Sequence, residues 1–384
     1  MFRTNGRPSA ARRGFLRRAG TAAAGMAAAS AATAAGARPE QVLRIQGAWS
    51  ARDVFHEYAL DFSRRVNDMS GGRLRMEVLP ADALLKPQEL LDAVHQGALD
   101  GCHGAAPLWS LRNAAFSLFG EAPAMGVDAD AMLGWLRYGG GADLYADLLL
   151  RQMNLQVVSF FSVALPPRPL GWFRRAPSSA AALRGLVVPA RGFDADLLKE
   201  MGAKPVIVDD RDVPALFASG KIDAVLINSA SSVRRMPVIP GITACLLQSQ
   251  THAAEFFEIS FNRKRFDALP ADLQAVIRSA ADAASSDVQW KSRFQGSVDA
   301  EWLERSRGIR MVKTPPDILR AQMRAWSTVL ERHSASNPFF GKVLDSQQQW
   351  AQRVFAGSRD SATAAALAHA YWQPGSLRRA RTNR

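Results

Sequence analysis

The sequence predicts an α/β chain of two lobes with a ligand cleft between them, and three observations predict it. Two β/α series follow one another, one apolar strand returns after the second, and the last third turns largely helical. In the first series "VLRIQGAW" (42–49) alternates as a strand feeding a loop. "ARDVFHEYALDFSRRVNDMSGG" (51–72) spaces Val54, Phe55, Tyr58, Ala59, Phe62 and Val66 along one helical face and closes on a glycine pair. "RLRMEVLP" (73–80) alternates again, and "PQELLDAVHQGALDGCHGA" (87–105) reads as an amphipathic helix, a Gly97 stop and a short strand. This β-α-β-α-β rhythm implies a parallel sheet. A helix over 128–151 and an apolar stretch, "LQVVSFFSVALP" (155–166), complete the series.

The second series sets strands at "PLGWF" (169–173), "LVV" (186–188), "KPVIVD" (204–209) and "DAVLIN" (223–228). Helices at 178–185, 193–203 and 213–222 alternate with them. "EFFEISFN" (255–262) is the return strand. From Pro270 to about Arg307 one helix is expected, far above the usual ~11–12 residues, and others follow at 316–333 and 337–356. The expected division is a leader at 1–37, a first lobe of 38–160 with 243–262, and a second of 161–242 with 263–356. The second lobe then carries the spanning and C-terminal helices, and 357–384 is a partly disordered tail. Small-molecule sites favour such a junction between lobes.

The formal charge of +13 suggests a polyanion partner until its location is read. Residues 1–37 hold six arginines and no acid, and the last seven residues hold four more and no acid. Only +3 is left for residues 38–377, so no nucleic-acid surface is expected. "ARRGFLRRAG" (11–20), the run "TAAAGMAAASAATAAGA" (21–37) and its small-residue end form an export signal. Arg12-Arg13 before Phe15-Leu16 resembles the twin-arginine signal, which implies the twin-arginine export machinery as a partner. After the leader no run approaches ~20 apolar residues, so a soluble periplasmic protein is expected. That compartment permits a disulfide between Cys102 and Cys245, but two buried free thiols are the expectation.

Several stretches together carry a family resemblance: "DMSGGRLRMEVLPADALLKPQELLDAVHQGALD" (68–100), "HGAAPLW" (103–109), "WLRYGGG" (135–141), "VPALFASGKIDA" (213–224) and "FNRKRFDALPADLQAVI" (261–277). On these the chain, over roughly 42–330, resembles the DctP-type extracytoplasmic solute-binding proteins of TRAP (tripartite ATP-independent periplasmic) transporters. The branch it resembles binds 2-oxo acids and related monocarboxylates. The resemblance implies a two-lobed periplasmic binding protein fold with a long helix spanning both lobes, closing on its ligand by a hinge. It further implies a small, anionic organic acid as ligand, the TRAP permease membrane subunits as partners, and in this branch sometimes a homodimer.

In that family a strand after the "LRGL"-like element ends in an arginine that clamps the ligand carboxylate, a task suited to a planar fork of donors. Counting back from "GAKPV" puts this position on Pro189, with Arg191 two residues later. An extended backbone would turn both to the same side, so Arg191 is either the anion hook or a solvated loop charge. The cation-binding branch has a glutamine where this chain has Arg168, and an acid and an aromatic where it has Leu226 and Ile227. An arginine among oxygen ligands opposes a cation, so no bridging metal is expected. Arg168, in "LPPRPLGWF", is the rival anion contact or else a surface arginine.

Trp109 aligns with a family aromatic and either walls the pocket or fills the core. His103 follows a short strand, as a cleft-edge ligand contact or a hydrogen-bonded structural residue. Asn228 ends "DAVLIN" as a ligand donor or a loop cap, and Trp49 is a weaker candidate. No H-E-x-x-H, G-x-S-x-G, G-x-G-x-x-G, P-loop or clustered Cys/His set occurs, so neither an enzyme nor a cofactor is expected. The expected function is capture of an organic acid and its delivery to a permease. The rival reading keeps the binding fold but serves a sensor, or scavenges, without transport.

Overall fold

A computed structural model describes residues 41–371 apart from 124, 166 and 252–254. The expected leader at 1–37 and residues 372–384 of the expected tail lie outside the described residues. The strands are β1 (Gln41–Gly47), β2 (Leu74–Leu79), β3 (Gly101–Gly104), β4 (Val157–Leu165), β5 (Gly171–Phe173) and β6 (Val187–Pro189). They continue as β7 (Lys204–Val206), β8 (Ala224–Val225), β9 (Ala244–Leu246), β10 (Glu255–Asn262) and β11 (Arg310–Val312). The helices are α1 (Val54–Met69), α2 (Leu90–Gln96), α3 (Ala129–Tyr138), α4 (Gly141–Asp147), α5 (Gly192–Glu200) and α6 (Val213–Ala218). After these come α7 (Ala230–Arg235), α8 (Arg263–Asp267), α9 (Ala271–Arg307), α10 (Pro316–Ser336) and α11 (Pro338–Tyr371).

Two separate sheets make the two lobes. The first has the order β2-β1-β3-β10-β4 and the second the order β11-β9-β5-β8. A parallel β6-β7 pair stands beside the second. In the first sheet β1 runs parallel to β2 and β3, as the β-α-β-α-β rhythm requires, and β10 returns antiparallel between β3 and β4. Close approach sets this sheet's centre: a Cβ on Gly101 would lie 2.6 Å from the Ser260 carbonyl oxygen, so β3 and β10 meet there only over a glycine.

α1 begins where Asp53 accepts a hydrogen bond from the Phe55 N–H (3.0 Å), and its apolar face is buried as the spacing predicts. The helix expected over 128–151 is two. Gly140, at φ +81°, breaks it between α3 and α4, because only glycine takes this left-handed conformation without cost. The long helix matches its expected span. Its first half (Leu273, Ile277, Ala280, Ala281, Ala284) packs on the first sheet, and Leu303 near its end packs on the second. At 37 residues it is about 55 Å long, enough to span both lobes.

Two stretches pair otherwise than the expected division has them. Ala244–Leu246, placed with the first lobe by the boundary at 243, joins β5 and β11 in the second sheet. The whole of Val157–Leu165 pairs with β10 in the first, although the boundary at 160 cuts it. Pairing partners fix such short strands, and alternation within them cannot. Helix α11 also runs to Tyr371, past the end expected at 356, through the Ala-rich "SATAAALAHA", a strong helix former. Cys102 in β3 and Cys245 in β9 are both buried and unbonded, one in each sheet. Among the described residues no helix is long and apolar enough to cross a membrane.

Candidate functional site

Between the two sheets, under the long helix, lies a cavity of about 370 Å³. β4 leads the chain toward it. A β-bulge opposite Phe256 and Phe257 puts Val163 at φ +58°, and Leu165 beyond the bulge lines the cavity. The first turns of α1 supply Phe55 and Tyr58, the second sheet supplies Trp172, Cys245 and Met311, and the long helix supplies Ser292, Arg293, Gly296 and Ala300. Small residues at 292, 296 and 300 share one helical face, so that face leaves space.

The polar groups are few. Asn228 lines the cavity, and its Nδ2 donates to Glu255 Oε1 at 3.5 Å. Ser229 and Ser231 follow it at the entrance to α7. Trp172 is held in the wall by its Nε1–H, which donates to the Ile227 carbonyl at 3.0 Å. Burial pushes the Tyr58 hydroxyl and the Cys245 thiol each up to about 12, so both are uncharged at neutral pH. Arg293 is the one cation among the lining residues. It is exposed at the rim, and no hydrogen bond or ion pair holds it among the described residues.

Beside the cavity, Glu57 of α1 accepts from Arg235 of α7 at 2.7 Å and from Lys291 of the long helix. Burial would raise its pKa, but hydrogen bonds and charge from Lys291 and Arg235 outweigh that and hold it below the usual carboxylate range. Asp61 joins Lys291 at 3.0 Å. The two lobes are thus tied by charge where α1 meets α7.

Of the six residues singled out from the sequence, only Asn228 lines this cavity. Pro167 and Pro169 line it too, but Arg168 between them turns the other way. Only 5% exposed, Arg168 makes a two-pronged ion pair with Asp194 of α5 at 2.5 and 2.8 Å. It borders a gap of about 20 Å³, room for no more than a water. Burial opposes its charge, but Asp194, with Glu255 and Glu121 at longer range, holds the guanidinium protonated. Arg191 is exposed at the start of α5 and donates from Nη2 to the Val208 carbonyl at 2.8 Å.

Trp109 is in the hydrophobic core, packed under Gly104. His103 is buried in β3, where Nδ1 accepts from Trp49 Nε1–H at 3.0 Å and the ring packs on Phe257. Burial pushes its pKa down to about 3, so it is a neutral acceptor that orients Trp49. Sequence reasoning missed Phe55, Tyr58, Trp172 and Arg293. Trp172 stands in the conspicuous "GWF", and the 292/296/300 small-residue spacing was the available sign of a cavity beside Arg293.

Comparisons with known proteins agree with this fold. The family model DctP, bacterial extracellular solute-binding protein, family 7, matches residues 45–337. A curated relative, the monocarboxylate 2-oxoacid-binding periplasmic protein of Nostoc sp., is 19% identical over 299 residues, covering 77% of this chain and 80% of the relative. A TRAP periplasmic solute-binding protein of Colwellia psychrerythraea, solved with calcium and pyruvate, superposes with a TM-score of 0.77 at 23% identity, covering 84% of this chain and 98% of that one. One from Bordetella bronchiseptica, a dimer with calcium and picolinate in one site, gives 0.76 at 20% identity, covering 87% and 100%. At such identities these structures show the shared two-lobed fold. With the family model spanning most of its length, the chain belongs to family 7 of the bacterial extracellular solute-binding proteins.

Proposed function

We propose that this protein is the periplasmic receptor of a TRAP transporter, capturing a small organic acid between its lobes and passing it to the membrane permease. The observation that carries the reading is the inter-lobe cavity, apolar-walled, with Asn228 and the Ser229–Ser231 turn on one side and, at its rim, an arginine with no ion pair among the described residues. Such a site binds by shape and a few fixed polar groups and needs no covalent chemistry. Ligand that touches both lobes favours the closed form in proportion to its preference for it.

A cation such as the calcium bound in the Colwellia structure does not fit this chain. Arg168 stands at the place of that branch's glutamine and is a buried guanidinium committed to Asp194, while Leu226 and Ile227 bring no oxygen ligand from their side chains. The homodimer has support in an exposed stripe on the long helix. Trp290, Phe294 and Val298 recur every four residues and are 67%, 70% and 40% exposed, and the Bordetella relative is a dimer. Trp290→Asp is expected to convert a dimer to a monomer by light scattering. The leader's Arg12-Arg13 supports the twin-arginine route, and replacing the pair by lysines is expected to leave precursor in the cytoplasm.

A thermal-shift screen of mono- and dicarboxylates beside their neutral amides tests the reading. A fitting acid at about a hundred times its Kd adds about 2.7 kcal/mol and raises the midpoint. A neutral solute that raises it while every acid fails would sink the organic-acid assignment. If deleting its permease subunits leaves uptake of the bound acid unchanged, the transport role falls.

A further inference from the structure

We infer that the ligand is an aryl-bearing monocarboxylate whose carboxylate is anchored by Arg293 of the long helix; the inference rests on the organic-acid reading above. Three observations carry it. The two arginines best placed by sequence are committed elsewhere, Arg168 to Asp194 and Arg191 to the Val208 carbonyl, and neither lines the cavity. His103 is buried and neutral. Arg293 is then the cation that lines the cavity, without an ion pair among the described residues.

The second observation is size. A cavity of about 370 Å³ has room for a ligand larger than a three-carbon acid. The third is the chemistry of the wall. Phe55, Tyr58, Trp172, Leu165, Leu247 and Met311 present ring faces, methyls and a thioether, which an aromatic ring fills and a second polar group does not. One acid, Glu255, also lines the cavity; it is buried and accepts from Asn228. One cation at the rim and an apolar wall suit a ligand with a single carboxylate and an uncharged body.

Isothermal titration of the mature chain with phenylpyruvate, pyruvate and the neutral 3-phenylpropionamide tests this. Phenylpyruvate is expected to bind at least about tenfold tighter than either of the others. Arg293→Ala is expected to weaken phenylpyruvate about tenfold at an unchanged melting temperature, with Arg293→Lys between the two. Equal affinity for pyruvate, an amide that binds as well as the acid, or an Arg293→Ala chain that binds undiminished would each overturn the inference. If pyruvate binds and phenylpyruvate does not, the inference falls while the organic-acid reading stands. If neither these acids nor any carboxylate of the thermal-shift screen binds, both fall.

Discussion

The strands of the first sheet are four to nine residues long, and those of the second only two or three. The first sheet holds itself together by its ladder, with β10 buried along its whole length between two partners. The second depends on side chains that reach the backbone. Asp223 accepts from the Val187 N–H at 2.8 Å, Thr243 Oγ1 donates to the Arg174 carbonyl at 2.7 Å, and Gln248 and Thr314 bond each other's main chains. The two lobes also bury charge differently. The first encloses Glu258, 1% exposed, with the Ser159 and Ser260 hydroxyls and without an ion pair among the described residues. The second encloses Arg168 with a counter-ion. A long ladder tolerates a buried acid whose ionisation burial disfavours, whereas a lobe of short strands uses a paired charge to pin α5 beneath its loops.

The sharpest way to break the first lobe is Phe257→Ala. Phe257 is fully buried and its ring meets Phe55 at 4.8 Å and His103 at 5.1 Å, so the loss is expected to be about 4 kcal/mol in urea unfolding. A loss below about 1 kcal/mol would mean that the ladder alone holds this face. Asp194→Asn strikes the second lobe, leaving Arg168 buried without its partner charge, at an expected cost of about 3 kcal/mol. Combining Asp194→Leu with Arg168→Met is expected to restore most of it. A double variant as unstable as the single one would show that the pair is not what holds α5.

The smallest effect has the opposite sign. Burial, only partly offset by its hydrogen bonds, raises the Glu258 pKa above its ordinary 4.5. A raised carboxylate pKa means that the folded chain keeps its proton longer than the unfolded chain. Its contribution is therefore full below about pH 4.5 and falls as pH rises toward the folded value. Glu258→Gln is expected to leave acid stability unchanged and to gain stability at pH 8 by urea unfolding. Equal gains at pH 4 and pH 8 would contradict this assignment.

Most of the fold was legible because it lies in local periodicity. β10 and the long helix carry patterns long enough to fix their ends. β9 was misplaced because three apolar residues say nothing about which neighbour they pair with. The site was less legible for a related reason. Whether an arginine is available depends on a partner that spacing does not name: Asp194 lies 26 residues from Arg168, and the Val208 carbonyl 17 from Arg191. Asn228 could be found because a loop leaving a strand is where α/β sheets place ligand contacts. Arg293 could not, since within a 37-residue helix it looks like any solvated charge.

The carboxylate of Glu57, shared between Arg235 and Lys291, has a consequence for timing. Any rotation that widens the cavity at that edge must draw Arg235 away from it. Charges at such a surface attract across a range set by dissolved ions, about 10 Å at 0.1 M salt and 3 Å at 1 M. The rate of opening therefore depends on the ionic strength of the surrounding fluid, and the chain would release its cargo sooner in brine than in fresh water.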